Sequence, residues 1–120
     1  MKDYDNFFLP ADDLVIGKEF YHGTLGLDIK FDFSAQGMMA FKVGEQEPAI
    51  ILRTQPEARP TIWFTVDDVR QEYERLRTRG VTFVSGPFQI RTGMAAEFED
   101  PFGNRLGITD YSVQPPARSQ

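Results

Sequence analysis

Ile62-Trp63-Phe64-Thr65-Val66-Asp67-Asp68-Val69 carries two structural signals in one short stretch. The first five residues are β-branched or aromatic, the composition of a short strand. Asp67 and Asp68 then offer side-chain oxygens to the free amides of a helix's first turn. Downstream, Val69, Tyr73 and Leu76 stand at i, i+4 and i+7, one apolar stripe along a helix. Gly80 suits the left-handed position that ends such a helix. Arg70 and Glu74, one turn apart on the outer side, are expected to support it. Fifty-five residues upstream the passage occurs in weaker form. Phe7-Phe8-Leu9-Pro10 leads into Asp12-Asp13-Leu14, and Ile16, Phe20 and Tyr21 mark the buried side of a helix interrupted by Gly17.

The repeat extends outward from both passages. Gly26-Leu27 recurs as Gly80-Val81, and Met39-Ala40 as Met94-Ala95. Hairpins then close at Ile50-Ile51-Leu52 and at Leu106-Gly107-Ile108. Strands are predicted at 27–33, 38–43, 49–53, 82–84, 94–98 and 105–109, with a turn at Asp100-Pro101-Phe102-Gly103. Each half reads βαβββ, an α+β pattern. One domain over 1–114 follows, with module 1 about 5–54 and module 2 about 60–111. Gln55 to Pro60 links them, and 115–120 is a flexible tail. Each half presents a half-exposed sheet and buries it only by pairing.

Bulk properties exclude several partners. The chain has 120 residues, with 41% hydrophobic, 26% charged and no cysteine, ordinary for one globular domain. No apolar run reaches the ~20 residues of a membrane span, and the N-terminus has no signal-like stretch. A cysteine-free chain fits the cytoplasm. The net charge of −5 disfavours nucleic acid and anionic membranes and favours cationic ligands. The basic residues form no aromatic-interleaved stripe.

In this order and spacing, three segments resemble the vicinal-oxygen-chelate superfamily of glyoxalases, bleomycin-resistance proteins and dioxygenases. They are Asp13-Leu14 with Phe20-Tyr21 and Leu25-Gly26, Ile62 to Val69 with Tyr73, Leu76, Arg79 and Gly80, and Phe98-Glu99-Asp100-Pro101-Phe102-Gly103-Asn104. The resemblance implies two βαβββ modules in a curved mixed sheet, a half-barrel with helices outside, working as a homodimer on a small molecule. It also implies four inward-facing metal-ligand positions. Counting back seven from Asp13 and Asp68 gives Asn6 and Thr61, and three past Asn104 gives Gly107. The repeat offset adds Leu52 or a neighbour. An amide, a hydroxyl, an alkyl chain and an absent side chain are not the imidazole, carboxylate or thiolate donors that transition metals need. The expectation is therefore a vacated site with no metal and no cofactor.

The residues around those positions suggest a replacement. Strand alternation puts Phe8 beside Asn6 and Trp63 beside Thr61, so two rings would line a cavity left open at Gly107. Arg53 and Arg91 are candidates for an anionic contact. Tyr21, Glu97 and Tyr111 are further polar candidates, and Glu97 with Glu99 an unorthodox metal pair. His22, without clustered partners, reads as a helix-end histidine. The leading expectation is a metal-free, bleomycin-resistance-like binder of a planar or cationic compound. Two alternatives stay open: a glyoxalase-like lyase or isomerase with unorthodox ligands or metal-free chemistry, and a structural or regulatory dimer whose cavity is filled.

Overall fold

A computed structural model describes residues 1–45 and 48–113; the tail expected at 115–120 lies outside the described residues. The elements run β1 (Asp3–Pro10), α1 (Leu14–Lys18), a π-helical turn (Glu19–Thr24), β2 (Asp28–Phe33), a 3-10 turn (Ser34–Gln36), β3 (Met38–Lys42) and β4 (Ala49–Arg53). They continue with β5 (Thr61–Thr65), α2 (Val69–Thr78), β6 (Thr82–Phe83), β7 (Phe88–Ile90), β8 (Gly93–Glu99) and β9 (Arg105–Thr109). The fold is α+β and each half is built as βαβββ. Strand β7 is additional: Phe88-Gln89-Ile90 is too short to show alternation in sequence and gains its partner only by pairing with β8. The chain divides into two compact units, Asp5–Ile62 and a second made of Met1–Tyr4 with the chain from Trp63 onward.

In the unit Asp5–Ile62 the strand order is β2-β3-β4-β1. Strands β1 and β4 are parallel, while β2, β3 and β4 pair antiparallel, so the sheet is mixed. Met39, Phe41 and Leu52 form the buried centre, with Leu9, Leu14, Tyr21 and Ile29 packed on it. These residues lie on the face beneath α1, and alternation sends Phe8, Ala40, Ile51 and Arg53 to the other face. Gly17 does not interrupt the helix. It is where α1 comes closest to the sheet, since a Cβ there would fall 2.6 Å from Leu52 Cδ1. With Leu14, Gly17 and Tyr21 inward, Ile16 and Phe20 point outward and are exposed. Placing those two on the buried side was wrong by about one residue of rotation: the glycine itself occupies the inner face.

The second unit orders its strands β5-β9-β8-β6, with β7 on β8. Val66, Val69, Ala96, Phe98 and Ile108 form its core, and Tyr73 and Leu76 cover it from α2. The stripe read from sequence is the packed one. Asp68 caps α2 by accepting from the Gln71 N–H, and Gly80 follows at φ +92°, a conformation that costs glycine little. The expected Arg70–Glu74 pair does not form its part of the outer surface; the ion pairs there are Arg75–Glu72 and Arg77–Glu74 at i, i+3. The acidic partner of each lies one turn nearer the helix N-terminus, the order the helix dipole favours.

Candidate functional site

Within Asp5–Ile62, the face turned away from α1 carries Phe8 and Arg53. Phe8 is buried, and the Arg53 guanidinium lies 4.3 Å from its ring centroid, a cation–π contact. Arg53 Nη2 also donates to Thr61 Oγ1 at 3.4 Å, and that hydroxyl donates to the Arg59 carbonyl at 2.9 Å. The Asn6 amide is engaged by the sheet: its Oδ1 accepts from the Ala49 N–H at 3.0 Å and its Nδ2 donates to Asp5. Leu52 does not belong with these residues. It sits in the core under α1, against Gly17.

The physical reason lies in the repeat. The two helix caps, Asp13 and Asp68, are 55 residues apart. The backbone bonds Ala11 N–H to Arg53 O and Val66 N–H to Thr109 O make Arg53 the counterpart of Thr109, an offset of 56. The position equivalent to Gly107 is therefore Ile51, on the same face as Phe8, its register partner. A slip of one residue along a strand exchanges its faces.

In the second unit, the face turned away from α2 carries Trp63, Glu97, Glu99, Arg105 and Gly107. Glu97 pairs with Gly107 and Glu99 with Arg105 across β8 and β9. Trp63 Nε1 donates to Glu97 Oε2 at 2.9 Å. A Cβ on Gly107 would fall 2.4 Å from Trp63 Cδ1 and Nε1. The space expected to be open at Gly107 is thus filled by indole, which leaves Trp63 only 6% exposed. Arg105 Nη1 lies 3.4 Å from Glu97 and Nη2 3.6 Å from Glu99. Its Nε is buried without a hydrogen-bond partner. Two carboxylates thus flank one guanidinium.

Arg105 was not among the residues singled out from sequence. Its signal was available in period 2, since 97, 99, 105 and 107 fall on one face once the Asp100 turn is fixed. Arg91 stands exposed in the turn between β7 and β8 and Tyr111 is exposed beyond β9. Tyr21 stacks on Phe41 beneath α1, and His22 is exposed with Nδ1 2.8 Å from the Leu27 carbonyl oxygen.

Asp110, directly after β9, organises this unit. It is buried and accepts from the Val69, Met94 and Ser112 N–H groups and the Ser112 hydroxyl. Burial alone raises its carboxyl pKa, but donors from Met94, Val69 and Ser112 outweigh it and hold the group below its ordinary value.

The residues present do not fit a divalent metal at the positions that the resemblance implies. The Asn6 and Thr61 oxygens are spent on backbone and Arg53, Ile51 and Gly107 offer no donor, and Trp63 covers Gly107. Glu97 and Glu99 face a guanidinium instead. Among the described residues no three His, Cys, Asp or Glu side chains gather, and no helix is long and apolar enough to cross a membrane.

Comparison with known proteins places this geometry in a family. The family described as Glyoxalase/Bleomycin resistance protein/Dioxygenase superfamily matches residues 4–108. The uncharacterized protein YurT of Bacillus subtilis is 38% identical over 52 residues, covering 43% of this chain and 41% of YurT. YetH of the same organism, also uncharacterized, is 26% identical over 103 residues, covering 78% of this chain and 86% of YetH. The solved methylmalonyl-CoA epimerase of Streptomyces coelicolor superposes with a TM-score of 0.74 at 16% identity, covering 94% of this chain and 99% of that one. At that identity the likeness concerns the fold alone.

Proposed function

The chain belongs to the glyoxalase/bleomycin-resistance/dioxygenase superfamily, and from that premise we propose that it binds a small cationic, planar compound without the divalent metal of its metal-dependent relatives. The observation that carries this reading is Trp63 lying over Gly107 while donating to Glu97. The indole covers this glycine, and the nearest carboxylate, Glu97, stands opposite it on the neighbouring strand. The chain's net charge of −5 favours a cation. Arg105 Nε is a buried donor with no partner, a state that costs about 1–3 kcal/mol unless an acceptor arrives. A heteroaromatic cation carries both the charge and the acceptor. The cysteine-free chain suits a reducing cytoplasm.

A second reading, the structural dimer with a filled cavity, is favoured by the burial of Phe8 and Trp63. One experiment separates them. Trp63 is the only tryptophan, so its emission reports on this cluster alone. Titration with bleomycin and with planar cationic dyes is expected to change it saturably. Glu97→Gln should weaken binding about tenfold, the effect of ~1.4 kcal/mol. A panel that leaves the emission unchanged favours the structural reading. Stoichiometric zinc, nickel, manganese or iron in protein purified without chelator overturns the metal-free part of the proposal.

A further inference from the structure

We infer that the cavity between the end of α2 and the Asp100 turn is a second small-molecule site, which takes a zwitterion with an apolar body the size of an aliphatic amino acid. The cavity lies wholly within the second unit and measures about 630 Å³, inside the ~300–1,000 Å³ range of small-ligand sites. Its walls follow from how α2 ends. Gly80 turns the chain at φ +92°, the Val81 N–H bonds back to the Leu76 carbonyl at 3.1 Å, and β6 then follows β8 for two residues only. Val81, Phe98 and Leu106, which belong to the core under α2, are left lining the hollow. Trp63, Glu97 and Gly107 lie on the other face of the same sheet.

Three charged residues line the cavity. Glu99 alternates with Phe98 along β8, so its carboxylate turns to the opposite face, 3.6 Å from Arg105 Nη2. The other two are Arg79 and Asp100, of opposite sign. Among the described residues they form no ion pair with each other, and Arg79 forms none at all. Hydrogen bonds from the Asn104 side chain and N–H and from the Phe102 N–H hold the Asp100 carboxyl below its ordinary value, so it is charged at neutral pH. Oδ1 takes both N–H groups and Oδ2 only the Asn104 amide, which leaves Oδ2 able to accept another donor. A simple anion would suit Arg79 and be repelled by Asp100, and a simple cation the reverse. A zwitterion suits both. Its carboxylate is forked by the guanidinium, its ammonium donates to Asp100 Oδ2, and its hydrocarbon displaces water from Val81, Phe98 and Leu106.

Titration of the isotope-labelled full chain with leucine, followed by amide NMR, tests this independently of the Trp63 reading. The Gly80, Thr82 and Asp100 amides should shift saturably, with a Kd at or below about 1 mM. Isocaproate, which lacks the ammonium, and isopentylamine, which lacks the carboxylate, should each bind about tenfold more weakly or worse. Arg79→Gln should weaken leucine about tenfold without weakening isopentylamine. Its circular dichroism spectrum and Tm should stay at the parent values, because the side chain is exposed. Asp100→Asn keeps the oxygen that the turn uses and should erase the preference for leucine over isocaproate. No saturable shift at about 20 mM leucine, well above the expected Kd, overturns the inference. So do shifts centred elsewhere, leucine binding indifferent to Arg79→Gln, or isocaproate or isopentylamine binding as tightly as leucine.

Discussion

The two helices begin alike and end differently. Asp13 and Asp68 cap them from equivalent places, each with an extended backbone. Helix α2 then runs for 10 residues with Val69 fully buried, whereas α1 lasts five and buries no residue before passing into a π-helical turn. The cap itself does not account for this, because Asp13 accepts from two amides and Asp68 from one. What differs is the support from outside the helix. Asp110 reaches across from the end of β9 to the Val69 N–H and ties the start of α2 to β8 through Met94. The corresponding place after β4 holds Thr54, whose hydroxyl reaches only the Gly37 carbonyl at 3.4 Å. A helix in a small domain takes most of its stability from tertiary packing, and the second module has more of it at the helix start.

The largest expected effect comes from removing that support. Asp110→Ala leaves buried amides without an acceptor and should cost about 3 kcal/mol, seen as a fall in Tm of roughly 10 °C. Thr54→Val should cost less than about 1 kcal/mol; equal losses would break the comparison. The Asp110 carboxyl is held below its ordinary value. Its contribution is therefore complete above the unfolded-state pKa of about 4 and is lost as pH falls through the folded-state value. Acid titration of Asp110→Asn should show a shallower loss of stability below pH ~4 than the parent chain.

The next contrast is between two glycines at close approaches. Gly107→Ala drives a methyl into the rigid indole of Trp63 and should cost about 1–3 kcal/mol, with Trp63→Leu partly rescuing it in a double-mutant cycle. Gly17→Ala meets only the end of the Leu52 side chain. The helix gains about 1 kcal/mol from the alanine, so thermal melting should move little in either direction. The smallest effect concerns the caps. Asp13→Ala removes ~1 kcal/mol locally and is expected to appear as faster amide exchange over residues 14–20 with almost no change in Tm. Asp68→Ala should lower the global Tm, because α2 melts with its core.

Much of this architecture is legible in the sequence. Caps, the stripe of α2, Gly80 and the Asp100 turn are local signals, and local signals survive because no distant partner is needed to produce them. Aspartate at 100 even supplies its own turn, accepting from the Phe102 and Asn104 N–H groups. The candidate positions differ in how they are reached. Asn6, Thr61 and Gly107 are counted from nearby caps and turns, whereas Leu52 comes from a constant offset and lies in the core under α1 instead. The indole over Gly107 was invisible in sequence because a glycine signals missing bulk without saying which neighbour moves in. Ile16 and Phe20 are illegible for a different reason: apolar residues on a short helix ordinarily face its own core, and here they face away from it.

The two halves are also unequally spaced. Matching Asp13 to Asp68 and then Ala40 to Glu97, the partners of Ile51 and Gly107, makes the stretch from cap to third main strand two residues longer in the second half. That longer stretch contains β7. The hairpin that follows is one residue shorter, since Ala40 to Ile51 exceeds Glu97 to Gly107 by one. An ungapped alignment of the halves therefore pairs outward residues with inward ones in the last strand. Anyone symmetrising this chain into a tandem of identical modules must first remove two residues ahead of β8 and restore one at the Asp100 turn.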